Sequence, residues 1–255
     1  MRINGNTIFI PGATSGIGLA LAQRLHDAGN TVIVGGRRTE LLEQIAAQHP
    51  GIDIVRIDTT DADSIHETAQ HVIARHPELN VLIPMAGIML AEDWTSPAGV
   101  LDTAEAVVTT NLLGPIRLIT ALLDQLMAQP DATIMTVSSG LAFAPLRVTP
   151  TYNATKAAIH MLSETLRLQL ADTSVRVVEL VPPSVQTELM PGHDGDPTAM
   201  PLAEYLDEVM DLLEAQPGAS EILVERVKFL RFGEVRGDQD QVIEVLNKTD
   251  VFAAS

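Results

Sequence analysis

Thr7-Ile8-Phe9-Ile10-Pro11-Gly12-Ala13-Thr14-Ser15-Gly16-Ile17-Gly18 is the stretch that decides the fold. A short apolar run passes directly into a glycine-rich turn, and a helical pattern follows from Ile17 to Ala28. A strand that ends in Gly-x-x-x-Gly-x-Gly and opens a helix is the first half of a βαβ unit. The first glycine makes the turn, the middle one lets a phosphate approach the backbone, and the third lets helix and strand pack closely. The start of the helix then offers unpaired N–H groups to an anion. Gly12, Thr14, Ser15, Gly16, Ile17 and Gly18 are therefore candidate contacts to a dinucleotide.

The same alternation continues along the chain. Apolar runs predict strands at Thr7 to Ile10, Thr31 to Gly35, Ile52 to Ile57, Val81 to Ile83, Thr133 to Val137, Val175 to Leu180 and Glu221 to Val224. Helical periodicity predicts helices at Ile17 to Ala28, Glu40 to Gln48, Ala62 to Arg75, Leu101 to Met127, Tyr152 to Leu170 and Leu202 to Glu214. Strands that are apolar throughout, separated by helices, imply a parallel sheet covered on both faces. The expected fold is α/β: one Rossmann-type domain over residues 1–255, a doubly wound parallel sheet of about seven strands with helices on both faces. Two helices, Leu101 to Met127 and Tyr152 to Leu170, are apolar on more than one side. That width predicts burial on one side and a partner subunit on the other, in a homodimer or homotetramer.

Composition narrows the function. The chain has 255 residues, 46% of them hydrophobic, 3% aromatic, and no cysteine. Thiol catalysis, disulfides and cysteine metal sites are excluded. The net charge of −17 argues against nucleic acid as a partner. Pro, Gly or charge interrupts the apolar stretches, so no membrane span is expected, and no signal peptide is visible before the first strand. These features suit a cytoplasmic location. His66, His71 and His76 recur every five residues, which scatters them around a helix, and no metal site is expected.

The second strand bears on which dinucleotide binds. It reads Thr31-Val32-Ile33-Val34-Gly35-Gly36-Arg37-Arg38, with two arginines where an acid would accept from a ribose 2′-hydroxyl. A guanidinium suits a 2′-phosphate through charge-assisted hydrogen bonds. Arg37 and Arg38 thus favour NADP(H) over NAD(H).

Tyr152 and Lys156 stand four residues apart and share a helix face. An unperturbed phenol, with a pKa near ~10, is a poor base at neutral pH. An ammonium roughly 5 Å away, at an effective dielectric of ~20, favours the phenolate by roughly 3 kcal/mol. The pair is a candidate proton-transfer centre.

Taken in this order, the motifs closely resemble the short-chain dehydrogenase/reductase family, in its short Tyr-x-x-x-Lys branch. The likeness runs from Gly12 through Thr187. Asp58 matches the acid that meets the adenine ring. Ala86 and Gly87 match the end of an Asn-Asn-Ala-Gly stretch. Asn111, Ser139, Tyr152 and Lys156 match the catalytic set, and Pro182, Val185 and Thr187 match the segment beside the nicotinamide. Two departures stand out: Pro84-Met85 replaces the two asparagines, and Pro183 replaces the glycine of a Pro-Gly pair. The tail from Glu221 to Phe232 looks like that of the DltE-like oxidoreductase subgroup.

The resemblance implies hydride transfer between NADP(H) and a carbonyl or secondary alcohol. Tyr152 is then the general acid/base, Ser139 holds the substrate oxygen, Lys156 holds the ribose and lowers the tyrosine pKa, and Asn111 keeps a water behind the lysine. It also implies a substrate lid near 188–215 and a C-terminal extension over 216–255. Met89, Leu90, Trp94, Leu141, Ala142, Phe143, Pro183 and Met190 are expected near a pocket for a small, mostly apolar substrate. The alternative is a catalytically silent dinucleotide-binding regulator of the same fold.

Overall fold

A computed structural model describes residues 1–190 and 192–248. Pro191, within the expected lid, and residues 249–255, at the end of the expected extension, lie outside the described residues.

Among the described residues, seven strands form one sheet. They are β1 (Thr7–Pro11), β2 (Thr31–Gly36), β3 (Ile52–Arg56), β4 (Val81–Leu82), β5 (Ala132–Val137), β6 (Val175–Leu180) and β7 (Glu221–Ile222). Their order is β3-β2-β1-β4-β5-β6-β7, and every pairing is parallel. The order reverses between β1 and β4, so the carboxyl ends of these neighbours border the crevice where such sheets bind ligands. Every residue of β1 is buried, which is why its run carries no polar alternation.

The principal helices are α1 (Gly16–Asp27), α2 (Thr39–Gln48), α3 (Ala62–Arg75), α4 (Val100–Val108), α5 (Gly114–Met127), α6 (Pro150–Gln169) and α7 (Leu202–Ala215). Among the described residues, three short ones follow: α8 (Lys228–Arg231), α9 (Gly233–Arg236) and α10 (Gln239–Leu246). Leu21, Leu25, Leu42, Ile45, Tyr205 and Val209 put α1, α2 and α7 into one core layer. Ile65, Val72, Leu118 and Leu122 put α3 and α5 into the other. The doubly wound expectation is met.

Two expectations need correction. The helix predicted over Leu101 to Met127 is not uniform: a π-helical segment, Thr109–Leu113, separates α4 from α5. Pro115 supplies a reason, because it has no N–H to donate back to the carbonyl of Asn111. Gly114 adds another: a Cβ there would stand 2.9 Å from the Thr59 carbonyl oxygen. Taken as one run, Val100–Met127 is long and apolar enough to cross a membrane by length and composition. However, Leu118, Ile119, Leu122 and Leu126 are packed in the core, as in a helix that covers a sheet. The lid expected near 188–215 also overlaps α7. Tyr205, Leu206, Val209 and Leu213 of that helix are buried in the core, so residues 202–215 are part of the folded body.

Gly12 and Gly29 allow a test of what the turn requires. Both have positive φ, +91° and +93°. A Cβ on Gly12 would meet the Ala86 Cα and N at 2.3 Å, whereas one on Gly29 would meet nothing within 4 Å. Gly29→Ala should cost only the backbone term, about 1–2 kcal/mol. Gly12→Ala should cost at least about 3 kcal/mol, because overlap with the main chain adds to the same strain. Equal losses in thermal unfolding would refute the role given to the Gly12–Ala86 approach.

Candidate active site

The carboxyl ends of β1, β2 and β4 converge through small residues. Gly36 lies under Thr14, whose Cγ2 would be 2.4 Å from a Cβ there. Gly18 lies against Met85, whose Cγ would be 2.7 Å from a Cβ. Met85, in place of an asparagine, therefore braces the turn by packing and not by an amide. Its N–H and that of Ala86 both donate to the Pro11 carbonyl, at 2.9 and 3.0 Å. Pro84 has no N–H, yet this path keeps its donors on the next two residues.

The α1 start fits an anionic ligand. Ser15 is its N-cap but makes no side-chain cap hydrogen bond, and the first turn holds no acid. Thr187 lies beside Gly16, with its Cγ2 3.5 Å from where a Cβ would be. At the end of β2, Arg38 donates from Nη2 to the Thr14 hydroxyl at 2.8 Å. Arg37 is exposed and faces Asp58 electrostatically. Burial raises the Asp58 pKa, but hydrogen bonds from Thr60 and the charges of Arg37 and Arg56 outweigh it, so the net shift is downward. Asp58 Oδ1 accepts from the Thr60 N–H and hydroxyl at 2.9 and 2.7 Å. Pro182 O accepts from Gly140 N at 2.9 Å, while Val185 is buried in the core and pairs with Met200. These residues thus form a glycine-lined cradle with cations at one end and Thr187 at the other.

Tyr152, Lys156, Ser139 and Asn111 are all buried. Pro150 is the first residue of α6, where a fixed φ suits a helix and no N–H is required. Two residues on, Tyr152 enters the site. The Ser139 side chain is close enough to favour the ionised form of Tyr152. Lys156 Nζ lies 5.5 Å from the Tyr152 ring centroid and donates to the Val137 carbonyl at 2.9 Å. It also lies 4.0 Å from the Cβ position of Gly87, whose small size keeps that approach open. Asn111 is in the π-helical segment, a kind of distortion that often marks functional sites. Its Oδ1 accepts from Ile88 N at 2.9 Å and its Nδ2 donates to Ile88 O at 2.8 Å. The amide thus anchors the main chain beyond Gly87.

The electrostatics differ from the expectation. Burial pushes the Tyr152 phenol up to about 12, against a smaller downward pull from the Ser139 side chain. Burial also brings Lys156 down to about 8. The ammonium does not lower the phenol below its ordinary value, because desolvation penalises the phenolate more than these neighbours favour it. Ser138 Oγ is buried beside the pair with no hydrogen-bond partner.

Met89, Val107, Tyr152 and Met190 form a small apolar cluster, with Leu141 packed against it. Val107 was not expected, and nothing in its helical run distinguishes it. Leu90 and Trp94 are more exposed, and Phe143 packs elsewhere, against His160 and Arg231. Glu92 is a further addition. Its Oε1 accepts from Thr151 N at 3.2 Å, and its Oε2 accepts from the Thr151 hydroxyl at 2.9 Å and from Trp94 Nε1 at 2.8 Å. A carboxylate is favourable at this helix start, one residue before Tyr152. No local motif announces a contact that spans 59 residues. The base of the 188–200 segment is tied by Met200 N to Ser184 O and Gln186 N to Met200 O, both at 2.9 Å.

The family described as short chain dehydrogenase matches residues 6–196. An uncharacterized oxidoreductase, DltE, of Bacillus subtilis is 38% identical over 251 residues, which cover 97% of this chain and 98% of that one. Among solved structures, a short chain dehydrogenase from Burkholderia cenocepacia in complex with NADP is similar at a TM-score of 0.82 and 24% identity. That match covers 96% of this chain and 99% of the other. A 3-ketoacyl-(acyl-carrier-protein) reductase from Brucella melitensis complexed with NADH is similar at a TM-score of 0.76 and 20% identity, covering 86% and 96%. These two structural likenesses speak to the fold alone.

The position of Lys156 gives a prediction for stability. Its folded pKa of about 8 lies below the ordinary lysine value of 10.5. Between these values the unfolded chain binds the extra proton, so folding stability rises with pH across that window. The full gain is about 3 kcal/mol. Lys156→Met lacks this contribution, so wild type should gain stability relative to the variant from about pH 8 to 10.5. Tyr205, whose pKa burial raises, is common to both proteins and cancels in the comparison. Parallel denaturation profiles for the two proteins would overturn the assignment.

Proposed function

The chain belongs to the short-chain dehydrogenase family, and on that premise we propose that it is an NADP(H)-dependent oxidoreductase acting on a carbonyl or secondary alcohol. The observation that carries this reading is the burial together of Ser139, Tyr152 and Lys156, with the Lys156 Nζ 5.5 Å from the Tyr152 ring centroid.

The residues present fit a dinucleotide. Gly12 and Gly18 let the turn pack against Ala86 and Met85, Gly16 stands beside Thr187 at the α1 start, and Thr14, Ser15 and Ile17 belong to the same turn. Arg37 and Arg38 would meet a 2′-phosphate, Asp58 the adenine end, and Ala86, Gly87, Pro182, Val185 and Thr187 the nicotinamide end. The compared structures include both an NADP and an NADH complex, so the preference rests on the two arginines. Bound there, the cofactor supplies or accepts the hydride.

The protein supplies the proton and holds the oxygen. Ser139 donates a hydrogen bond to the substrate oxygen and stabilises its developing charge. Tyr152 gives that oxygen a proton in reduction and removes one in oxidation. Lys156 keeps two N–H donors beyond its bond to Val137 O, which suit a ribose diol. Asn111 fixes the Gly87–Ile88 main chain beside the lysine and does not itself carry the proton. Met89, Val107, Leu141 and Met190 exclude water and accept an apolar substrate. With its pKa raised to about 12, the phenol is in the protonated form that reduction requires at neutral pH.

A panel of small ketones, aldehydes and diketones, assayed with NADPH and with NADH, tests the function. Turnover of at least one is expected, faster with NADPH; cofactor binding without turnover on any substrate would favour a silent regulator. Tyr152→Phe should abolish turnover while leaving cofactor affinity within a few-fold, and retained reduction would sink the proton-donor role. Arg37→Ala should weaken NADPH far more than NADH, whereas equal losses by titration would remove the arginine from 2′-phosphate recognition. Alcohol oxidation should accelerate as pH rises above neutrality, because it requires the phenolate; a flat profile with the chemical step limiting would contradict Tyr152 as base.

A further inference from the structure

The chain after Ser139 has little structure of its own. Gly140–Ala142 make one 3-10 turn, and residues 143–149 form neither helix nor strand. The C-terminal part of the protein holds this stretch at several points. Leu230 Cδ1 and Val227 Cγ2 lie 2.6 and 3.0 Å from where a Cβ would stand on Gly140. Gln239 Nε2 donates to Phe143 O at 2.6 Å. Asn247 donates from Nδ2 to Pro145 O at 3.0 Å and accepts at Oδ1 from Arg147 N at 2.7 Å.

Arg231 adds a further contact to the same stretch, through Phe143. Its Nε and Nη2 fork onto the Glu221 carboxylate at 2.9 and 3.1 Å. Its guanidinium carbon lies 4.4 Å from the centroid of the Phe143 ring. The same ring meets His160 in a T-shaped contact at 4.7 Å. His160 lies one turn beyond Lys156 on α6, and its Nδ1 is 2.9 Å from Glu179 Oε2. Phe143 thus joins the C-terminal segment to the helix that carries Tyr152.

His160, Glu179 and Glu221 also place their ligand atoms within 4.8 Å of one another, an arrangement a metal ion could use. The guanidinium answers that charge instead. Arg231 engages both oxygens of Glu221, and Arg167 Nη2 lies 3.6 Å from Glu179 Oε2. A planar fork that also stacks on a ring is a task for arginine that lysine does not duplicate.

We propose that Arg231, forked on Glu221 and lying over Phe143, is a positioning residue that fixes the 140–147 segment and thereby the Ser139 hydroxyl relative to Tyr152. The proposal rests on the reading of Ser139 as the group that binds the substrate oxygen. Arg231→Met keeps the length and removes the fork and charge. Arg231→Lys keeps a cation and loses the fork. Phe143→Leu removes the ring and leaves the ion pair.

Hydrogen exchange on the full chain reads the brace without any substrate. The amides of 140–147 should exchange at least about tenfold faster in Arg231→Met and Phe143→Leu, and by an intermediate amount in Arg231→Lys, while β1 and β4 keep their protection. With a substrate from the panel, Arg231→Met should lower kcat about tenfold with KM for NADPH within about twofold. Combined with Ser139→Ala, it should cause no further loss. Unchanged protection of 140–147, loss spread across the sheet, or multiplicative effects of the two substitutions would overturn the proposal. If Arg231→Met fails to fold, the other two variants decide by the same criteria. A wild-type protein that turns over nothing on the panel refutes the functional reading, and the exchange results still decide the brace.

Discussion

The approach of Gly12 to Ala86 is the contact on which the site depends. It brings the end of β1 to within van der Waals distance of the end of β4, where the strand order reverses. The Pro11 carbonyl takes hydrogen bonds from both Met85 and Ala86, so the two strand ends are joined by main chain. A side chain at residue 12 would separate them and shift everything that follows Ala86. That includes Gly87, which lies against both Asn111 and Lys156, and Ile88, which holds the Asn111 amide. A glycine turn that reads as a phosphate cradle is therefore also the joint that aligns the two halves of the sheet.

The chemistry then follows from desolvation. Closing the apolar side chains of Met89, Val107 and Met190 around Tyr152 removes water from the phenol and raises its pKa. The same exclusion lowers that of Lys156. The two groups are thereby brought to opposite extremes by one cause. The Val137 carbonyl and the Ser139 hydroxyl are the specific partners that make this burial tolerable.

The sheet was legible because its strands are buried and therefore continuously apolar. The glycine turn and the Tyr-x-x-x-Lys pair were legible because their spacing is local. Other features were not. Pro115 marked the interruption of a long helix, but an apolar periodic pattern on either side concealed it. The core face of α7 was not legible, because the amphipathic run from Leu202 to Glu214 is the same whether it faces a substrate or a core. The upward shift of the Tyr152 phenol was not legible, because a pairwise attraction follows from spacing whereas burial does not. Glu92 and Thr151, 59 residues apart, and Arg231 and Phe143, far apart in the chain as well, meet only once the sheet is wound. Phe143 was placed near the pocket by its closeness to Ser139, although its ring faces the opposite way, toward α6 and the C-terminal segment.

The π-helical segment at Thr109–Leu113 also bears on how this protein can vary. A π turn holds one residue more than an α turn of the same height. Removing any single residue there would let the helix run on without a break, and its local hydrogen bonding would improve. Because the α turn covers the same rotation with one residue fewer, α4 and the core-facing Leu118 and Leu122 would keep their faces, and the change would fall on the residues inside the segment. The Asn111 amide would swing away from Ile88. Shortening this helix by one residue would therefore spare the core and cost the site. Length polymorphism among descendants of this chain should fall in its surface turns and spare this helix.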